Sequence, residues 1–200
     1  MKEIYEGARA FRHRIGGNRE HYAKLASGQS PKALFIACSD SRVVPAHITG
    51  VGPGELFELR TAGNIVPPYR PRVPTGEAAT IEYAVQVLKV GNIVVCGHSH
   101  CGAVGALVRG DDLSGLPEVA GWLEQAKPGL NGVLGTSPSD PALPESVQRN
   151  VIAQVKTLYA YPHVRLAIED GRLRIHGWYY EVDSGTVWGL DATGTTFHRL

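Results

Sequence analysis

Apolar positions along the chain follow two patterns that alternate: short continuous runs, and longer stretches with apolar residues three to four apart. "ALFIA" at 33–37 and "IVVC" at 93–96 are continuous runs, as expected of strands covered on both faces. Between them, turn signals at Gly50, Gly52, Pro53 and Gly54 precede a short alternating strand over Leu56–Leu59. A proline-rich loop, 67–74, leads into "TGEAATIEYAVQVLKVG", an amphipathic helix with Thr75 as its N-cap and Gly91 just past its end. "PESVQRNVIAQVKTLYAYP" predicts another helix, ended by Pro162. "LRIHGWYYEVDSGTVWGLDATG" alternates and turns at "DSG", which predicts a strand and hairpin. The glycine- and proline-rich stretch 109–145 predicts helix fragments and loop around "VAGWLEQA".

Ahead of the first strand, Ile4, Ala8, Phe11, Ile15, Tyr22 and Leu25 keep helical spacing across a break at Gly16–Gly17. Residues 1–28 therefore predict a helical arm in two pieces, and residues 29–200 a single domain. The expected fold class is α/β: a mostly parallel central sheet flanked by helices, with an antiparallel C-terminal hairpin. In such sheets ligands gather at the carboxyl ends of the strands. Cys38 and "CGHSHC" both fall there.

Composition narrows the partners. With 43% apolar residues, 20% charged residues and a net charge of +1, the chain has no electrostatic footprint for nucleic acid or an anionic membrane. No run approaches the roughly 18 uncharged apolar residues of a spanning helix, and "MKEIYEGARAFRHR" lacks the apolar core of a secretory signal. A cytoplasmic protein acting on a small molecule, or assembling with itself, is expected. Its three cysteines, an odd number for a disulfide framework, point instead to structural, metal-binding or catalytic thiols.

His98 and Cys101 lie three positions apart behind one strand, and Cys38 ends another 60 residues earlier. Two thiolates and an imidazole suit zinc and leave a fourth tetrahedral position for water or substrate. Each residue also has a plainer reading, since a buried cysteine at a strand end is usually a small apolar residue. Cys96, inside "IVVCG", belongs to the core, and His100 alternates away from His98 toward solvent or the rim of the site. Asp40 and Arg42, two apart in "CSDSR", can form a forked pair. On an open surface such a pair contributes little, whereas beside a metal it holds a carboxylate ionised and oriented. "GHSHC" misplaces the last glycine of a nucleophile elbow, and "GVGPGE" lacks the third glycine of a dinucleotide fingerprint.

Taken together and in order, "CSDSR", "GELFELRTAGNIVPPY", "IEYAV" and "CGHSHCGAV" resemble the β-class carbonic anhydrases, and the match runs from the arm through "GWYYEVDSG". The resemblance implies reversible hydration of carbon dioxide to bicarbonate, with one zinc ion per chain on Cys38, His98 and Cys101 and with Asp40 and Arg42 as the catalytic dyad. It further implies substrate contacts from Gln29 and the Gly102 amide, and a cleft lined by Phe57, Tyr83 and Ala62, the last in place of a bulkier apolar residue in many relatives. A homodimer or tetramer with the arm across a partner subunit is implied as well. One branch of the family has a regulatory bicarbonate site that needs a tryptophan three residues before the first cysteine. Phe35 stands there, so although Arg60 matches that site, "GQSPK" and Phe35 point to the plant-like branch. Hydrolysis of carbonyl sulfide or carbon disulfide on the same scaffold, and a non-catalytic zinc module with Asp40 on the metal, are the rival readings.

Overall fold

The computed structural model describes residues 1–136 and 139–200 and divides into two compact units, Met1–Ser30 and Pro31–Leu200. The first holds α1 (Lys2–Arg14), a 3-10 turn at Gly16–Asn18, and α2 (Arg19–Leu25), so the paired glycines break the helix as their conformational freedom predicts. Phe11 meets Tyr22 edge-on at 6.0 Å across that break.

The second unit is built on six strands: β1 (Ala33–Cys38), β2 (Leu56–Thr61), β3 (Asn92–His98), β4 (Arg174–Tyr180), β5 (Val187–Leu190) and β6 (Phe197–Arg199). Their order is β2-β1-β3-β4-β5-β6, parallel from β2 through β4 and antiparallel from β4 through β6. All six residues of β1 are buried, which accounts for its unbroken apolar run. Leu34 and Ile36 pack with Ile93 and Val95 on one face; Phe35 and Ala37 pack with Val94 and Cys96 on the other, where Phe35 meets Trp178 edge-on at 5.7 Å. Each of the valine, leucine, isoleucine and phenylalanine side chains among them contributes roughly 1.5–3 kcal/mol of burial.

The helices are α3 (Pro45–Thr49), α4 (Gly76–Glu82), α5 (Gly102–Arg109), α6 (Pro117–Leu123), α7 (Pro144–Tyr159) and α8 (Pro162–Glu169). Thr75 caps α4, its hydroxyl accepting from the Ala78 amide at 3.1 Å. The helix runs on as a π-turn over Tyr83–Val87, and Lys89, at φ 53°, stops it short of Gly91. Pro162 ends α7 as expected but also opens α8, because proline at the first helical position forfeits no hydrogen bond. Helices α3 and α8 and strand β6 are too short to stand out as periodic patterns. The stretch 109–145 resolves into α6 and a 3-10 segment, Glu124–Leu130, with Ser137 and Pro138 outside the described residues. No helix among the described residues is long and apolar enough to cross a membrane.

Sheet order creates one feature that matters for function. From β1 the chain goes to β2 on one side, then to β3 on the other, so the carboxyl ends of β1 and β3 flank a switch point. Open α/β sheets place their ligands at such a point.

Candidate active site

Cys38 is the last residue of β1 and His98 the last of β3, and because these strands are parallel neighbours the two side chains emerge at the same sheet edge. Cys101 arrives from the same loop as the N-cap residue of α5. The reversal between them is sharp: His100 is left-handed at φ 56° and its amide donates to the Ala142 carbonyl at 3.1 Å, while the Ser99 amide donates to the Tyr180 carbonyl at 2.8 Å. One ligating atom from each of Cys38, His98 and Cys101 lies within 4.8 Å of the others, and all three residues are buried.

This donor set fits a metal ion. His98 is fully buried with Nδ1 2.9 Å from the Ser99 carbonyl, which assigns the proton to Nδ1 and leaves the Nε2 lone pair available. Nε2 itself is buried with no hydrogen-bond partner among the described residues, a costly arrangement unless a ligand takes it up. Hydrogen bonding with the Cys101 thiol, aided by His98 and the Asp40 and Gly63 amides, lowers the Cys38 thiol to about 4 in spite of its burial. Cys101 moves the other way, pushed up by Cys38 and by burial. Both sulfurs can be thiolates together only with a cation between them, and tetrahedral zinc with two sulfurs, one nitrogen and an open position supplies it.

Asp40 borders the open side. Arg42 Nε donates to Asp40 Oδ1 at 2.9 Å and Nη2 to Oδ2 at 2.7 Å, with the Arg42 amide adding a third bond to Oδ1 at 2.9 Å. These bonds hold the Asp40 carboxyl well below the usual carboxylate range, and the same pairing raises Arg42. Oδ2 stands 3.9 Å from His98 Nε2. The loop carrying Cys38 and Asp40 is clamped from β2: Arg60 donates to the Cys38 carbonyl through Nε at 3.1 Å and Nη2 at 2.7 Å, and to the Asp40 carbonyl at 2.8 Å.

The remaining candidates divide. Gly102 is the first residue of α5, where its amide has no intrahelical acceptor, and a Cβ built on it meets open space. Ala62 is exposed beside Gly63, whose amide donates to Cys38 Sγ at 3.3 Å. Phe57 and Tyr83 stack with ring centres 5.9 Å apart but are not brought to this metal centre. Phe57 pairs in register with Leu34, four residues before Cys38, about 13 Å of strand away. Gln29 belongs to the arm unit. Cys96 is a core residue, its thiol pushed up to about 12 by burial, and His100 is exposed, with its carbonyl accepting from Arg42 at 3.2 Å.

Three residues that support the site were not singled out from sequence. Asn150 donates to the Gly63 carbonyl at 2.9 Å, Gln154 accepts from the Val66 amide at 2.9 Å, and the Trp122 indole donates to the Ala62 carbonyl at 2.9 Å. A signal for the first two was present: polar residues at four-residue spacing inside the apolar stripe of α7, between Val147, Val151 and Leu158.

Residues 33–187 match the family model described as carbonic anhydrase. The chain is 48% identical over its whole length to the carbonic anhydrase of Pseudomonas aeruginosa, covering 92% of that protein, and 43% identical to carbonic anhydrase 1 of Escherichia coli O157:H7, again over its whole length and 92% of the relative. Among solved structures it is similar to the β-carbonic anhydrase CcaA, with a TM-score of 0.92 and 36% identity over 100% of this chain and 99% of the other. A tetrameric β-carbonic anhydrase of Sordaria macrospora superposes with a TM-score of 0.82 at 31% identity, over 96% of each chain. Family model, relatives and superposed folds agree with what the two thiols and the imidazole at the switch point indicate: the chain belongs to the β-class carbonic anhydrases.

Proposed function

We propose that the chain catalyses the reversible hydration of carbon dioxide to bicarbonate and a proton, with one zinc ion held by Cys38, His98 and Cys101. The observation that carries this reading is the buried pair of thiols and imidazole within 4.8 Å, bordered by a carboxylate 3.9 Å from the ligating nitrogen. When bound, zinc supplies the Lewis acidity that brings the ionisation of water toward neutral pH. Asp40 accepts a hydrogen bond from the attacking water and so sets its direction, and Arg42 keeps that carboxylate charged and unable to swing. The Gly102 amide donates to a substrate oxygen. Apolar walls from Phe57, Tyr83 and Ala62 hold carbon dioxide, which offers no strong hydrogen-bonding group, and exclude competing water.

The working unit in this proposal is a dimer or a tetramer. Ile4, Tyr5 and Phe11 of the arm are exposed apolar side chains, as are Tyr83 and Val87 on the body. Phe57 lies about 13 Å of strand from the level of Cys38, Tyr83 stacks on it from the π-turn after α4, and in this proposal a second copy supplies both across the interface.

The plant-like branch is supported by three further observations. Asp40 is engaged by Arg42 through both carboxylate oxygens, and Arg60 is committed to the Cys38 and Asp40 carbonyls. Phe35 is fully buried against Trp178, so the position of the regulatory tryptophan is part of the core.

Stopped-flow hydration by zinc-loaded protein tests the reading. Turnover that is lost on chelation and returns with zinc is expected. Zinc-replete protein without hydration activity would sink it, and turnover of carbonyl sulfide or carbon disulfide in its place would redirect the substrate assignment.

A further inference from the structure

The peptide joining Ala62 to Gly63 is held at both ends. Its carbonyl accepts from the Trp122 indole at 2.9 Å, and its N–H donates to Cys38 Sγ at 3.3 Å. In a trans peptide the carbonyl and the N–H point in opposite directions, so a donor fixed on the oxygen fixes the aim of the hydrogen. A carbonyl that accepts a hydrogen bond also polarises its own N–H into a better donor.

The next peptide is held as well. The Gly63 carbonyl accepts from Asn150 Nδ2 at 2.9 Å, and Asn150 is oriented in turn by Gln154, whose Nε2 donates to Asn150 Oδ1 at 2.9 Å while its Oε1 accepts from the Val66 amide. Asn150 is fully buried and Gln154 is 2% exposed, so both amides are withdrawn from water and make their bonds to this loop or to each other. Packing alone would be served better by leucine, because burying an amide costs free energy that its hydrogen bonds only offset. Gly63 itself is left-handed at φ 71°, with 3.1 Å between a built Cβ and the Ala103 Cβ, so the backbone form that turns its N–H toward the sulfur is open to glycine and strained for other residues.

We propose that Trp122 and Asn150 are positioning residues that aim the Gly63 N–H at the Cys38 sulfur and thereby temper its electron donation to the metal. A site with two thiolate ligands is electron-rich, and a donor on one sulfur draws charge back from the metal and preserves its electrophilicity. The proposal rests on Cys38 being a ligand, as the proposed function holds.

Cobalt(II)- and cadmium-113-substituted full-length protein test it. In the parent, cadmium is expected to couple to the Gly63 amide proton through the hydrogen bond, and cobalt to show a sulfur-to-metal charge-transfer band. Trp122→Phe, which keeps an aromatic ring and removes the donor, should move that band to lower energy, weaken the coupling and loosen zinc about 10-fold in chelator competition. Asn150→Leu should do the same, and Leu158→Val, a truncation on the same helix away from the loop, should leave the band in place. Should Asn150→Leu fail to fold, the partly exposed Trp122 decides the matter. A parent band present but unmoved in Trp122→Phe overturns the positioning role alone, whereas a parent with no thiolate band removes the ligand assignment and this proposal with it.

Discussion

Asp40 Oδ2 stands 3.9 Å from His98 Nε2 while both oxygens of its carboxylate are gripped by Arg42. The carboxylate is therefore beside the metal position and held back from it by a two-point bond that a single metal–oxygen contact would have to replace. Asp40→Asn should retain zinc and lose about 100-fold in kcat, the usual consequence of removing a positioned acid-base group. A variant with full zinc and full activity would return the pair to the status of an ordinary ion pair.

The same grip has a pH signature. The folded-state pKa of Asp40 is depressed, so its contribution to stability is present above the ordinary aspartate value and is lost as pH falls through the lower, folded value. Across neutral pH Asp40 stays charged and cannot be the source of a pH-dependent rate. We expect activity to rise with pH, because two thiolate charges oppose ionisation of the attacking water, and we expect Asp40→Asn to lower the profile without removing the rise. A profile flattened by Asp40→Asn would contradict this.

Metal uptake should release one thiol proton. With Cys38 lowered to about 4 and Cys101 pushed up, metal-free protein at about pH 8, above the ordinary imidazole range, carries one thiolate and one thiol in the pair. Zinc addition in weakly buffered solution with excess azide, an anion that takes the open position so that no metal-bound water adds a proton, followed with an indicator dye, reads the number; release of two would place both thiols above about pH 8. Cys101→Ser should abolish tight zinc binding, and elemental analysis showing undiminished zinc would remove the ligand assignment.

Assembly is testable through the aromatic pair. Removal of residues 1–28, or Tyr83→Asp, should shift sedimentation toward the monomer and cost activity together, if, as proposed, Phe57 and Tyr83 serve the metal centre of a second copy. A fully active monomer would contradict the proposed interface.

Gly97, between Cys96 and His98, has no room for a side chain: a Cβ there would lie 2.6 Å from Val147 Cγ1 and 2.7 Å from Val151 Cγ2. Gly97→Ala should destabilise the protein by about 1–3 kcal/mol, read by chemical denaturation, and displace His98 enough to weaken zinc binding. Adding Val147→Ala should restore part of both losses, and no recovery in the double variant would show that the clash is not the cause.

Much of this was legible in the chain. Continuous apolar runs announced β1 and β3, because strands buried on both faces cannot alternate, and the softness of two thiols and an imidazole at their ends pointed to zinc. The spacing of Asp40 and Arg42 suggested a fork that is present at 2.9 and 2.7 Å. Short elements such as α3, α8 and β6 were not legible, since five, eight and three residues hold too few periods to distinguish from loop.

Local sequence determines the strands, the caps and the kinds of ligating atom, because these depend on side-chain chemistry and on neighbours a few positions away. Only the tertiary structure decided that β1 and β3 lie side by side at a switch point, which brings Cys38 within reach of His98 across 60 residues of chain. It alone turned Asn150 and Trp122 toward the Ala62–Gly63–Asn64 peptides, through hydrogen bonds that span 87 and 60 residues and leave no periodic trace. The reason is physical: such bonds are made by whichever groups the packed core leaves facing one another, and a buried amide must find a partner wherever in the chain that partner happens to lie.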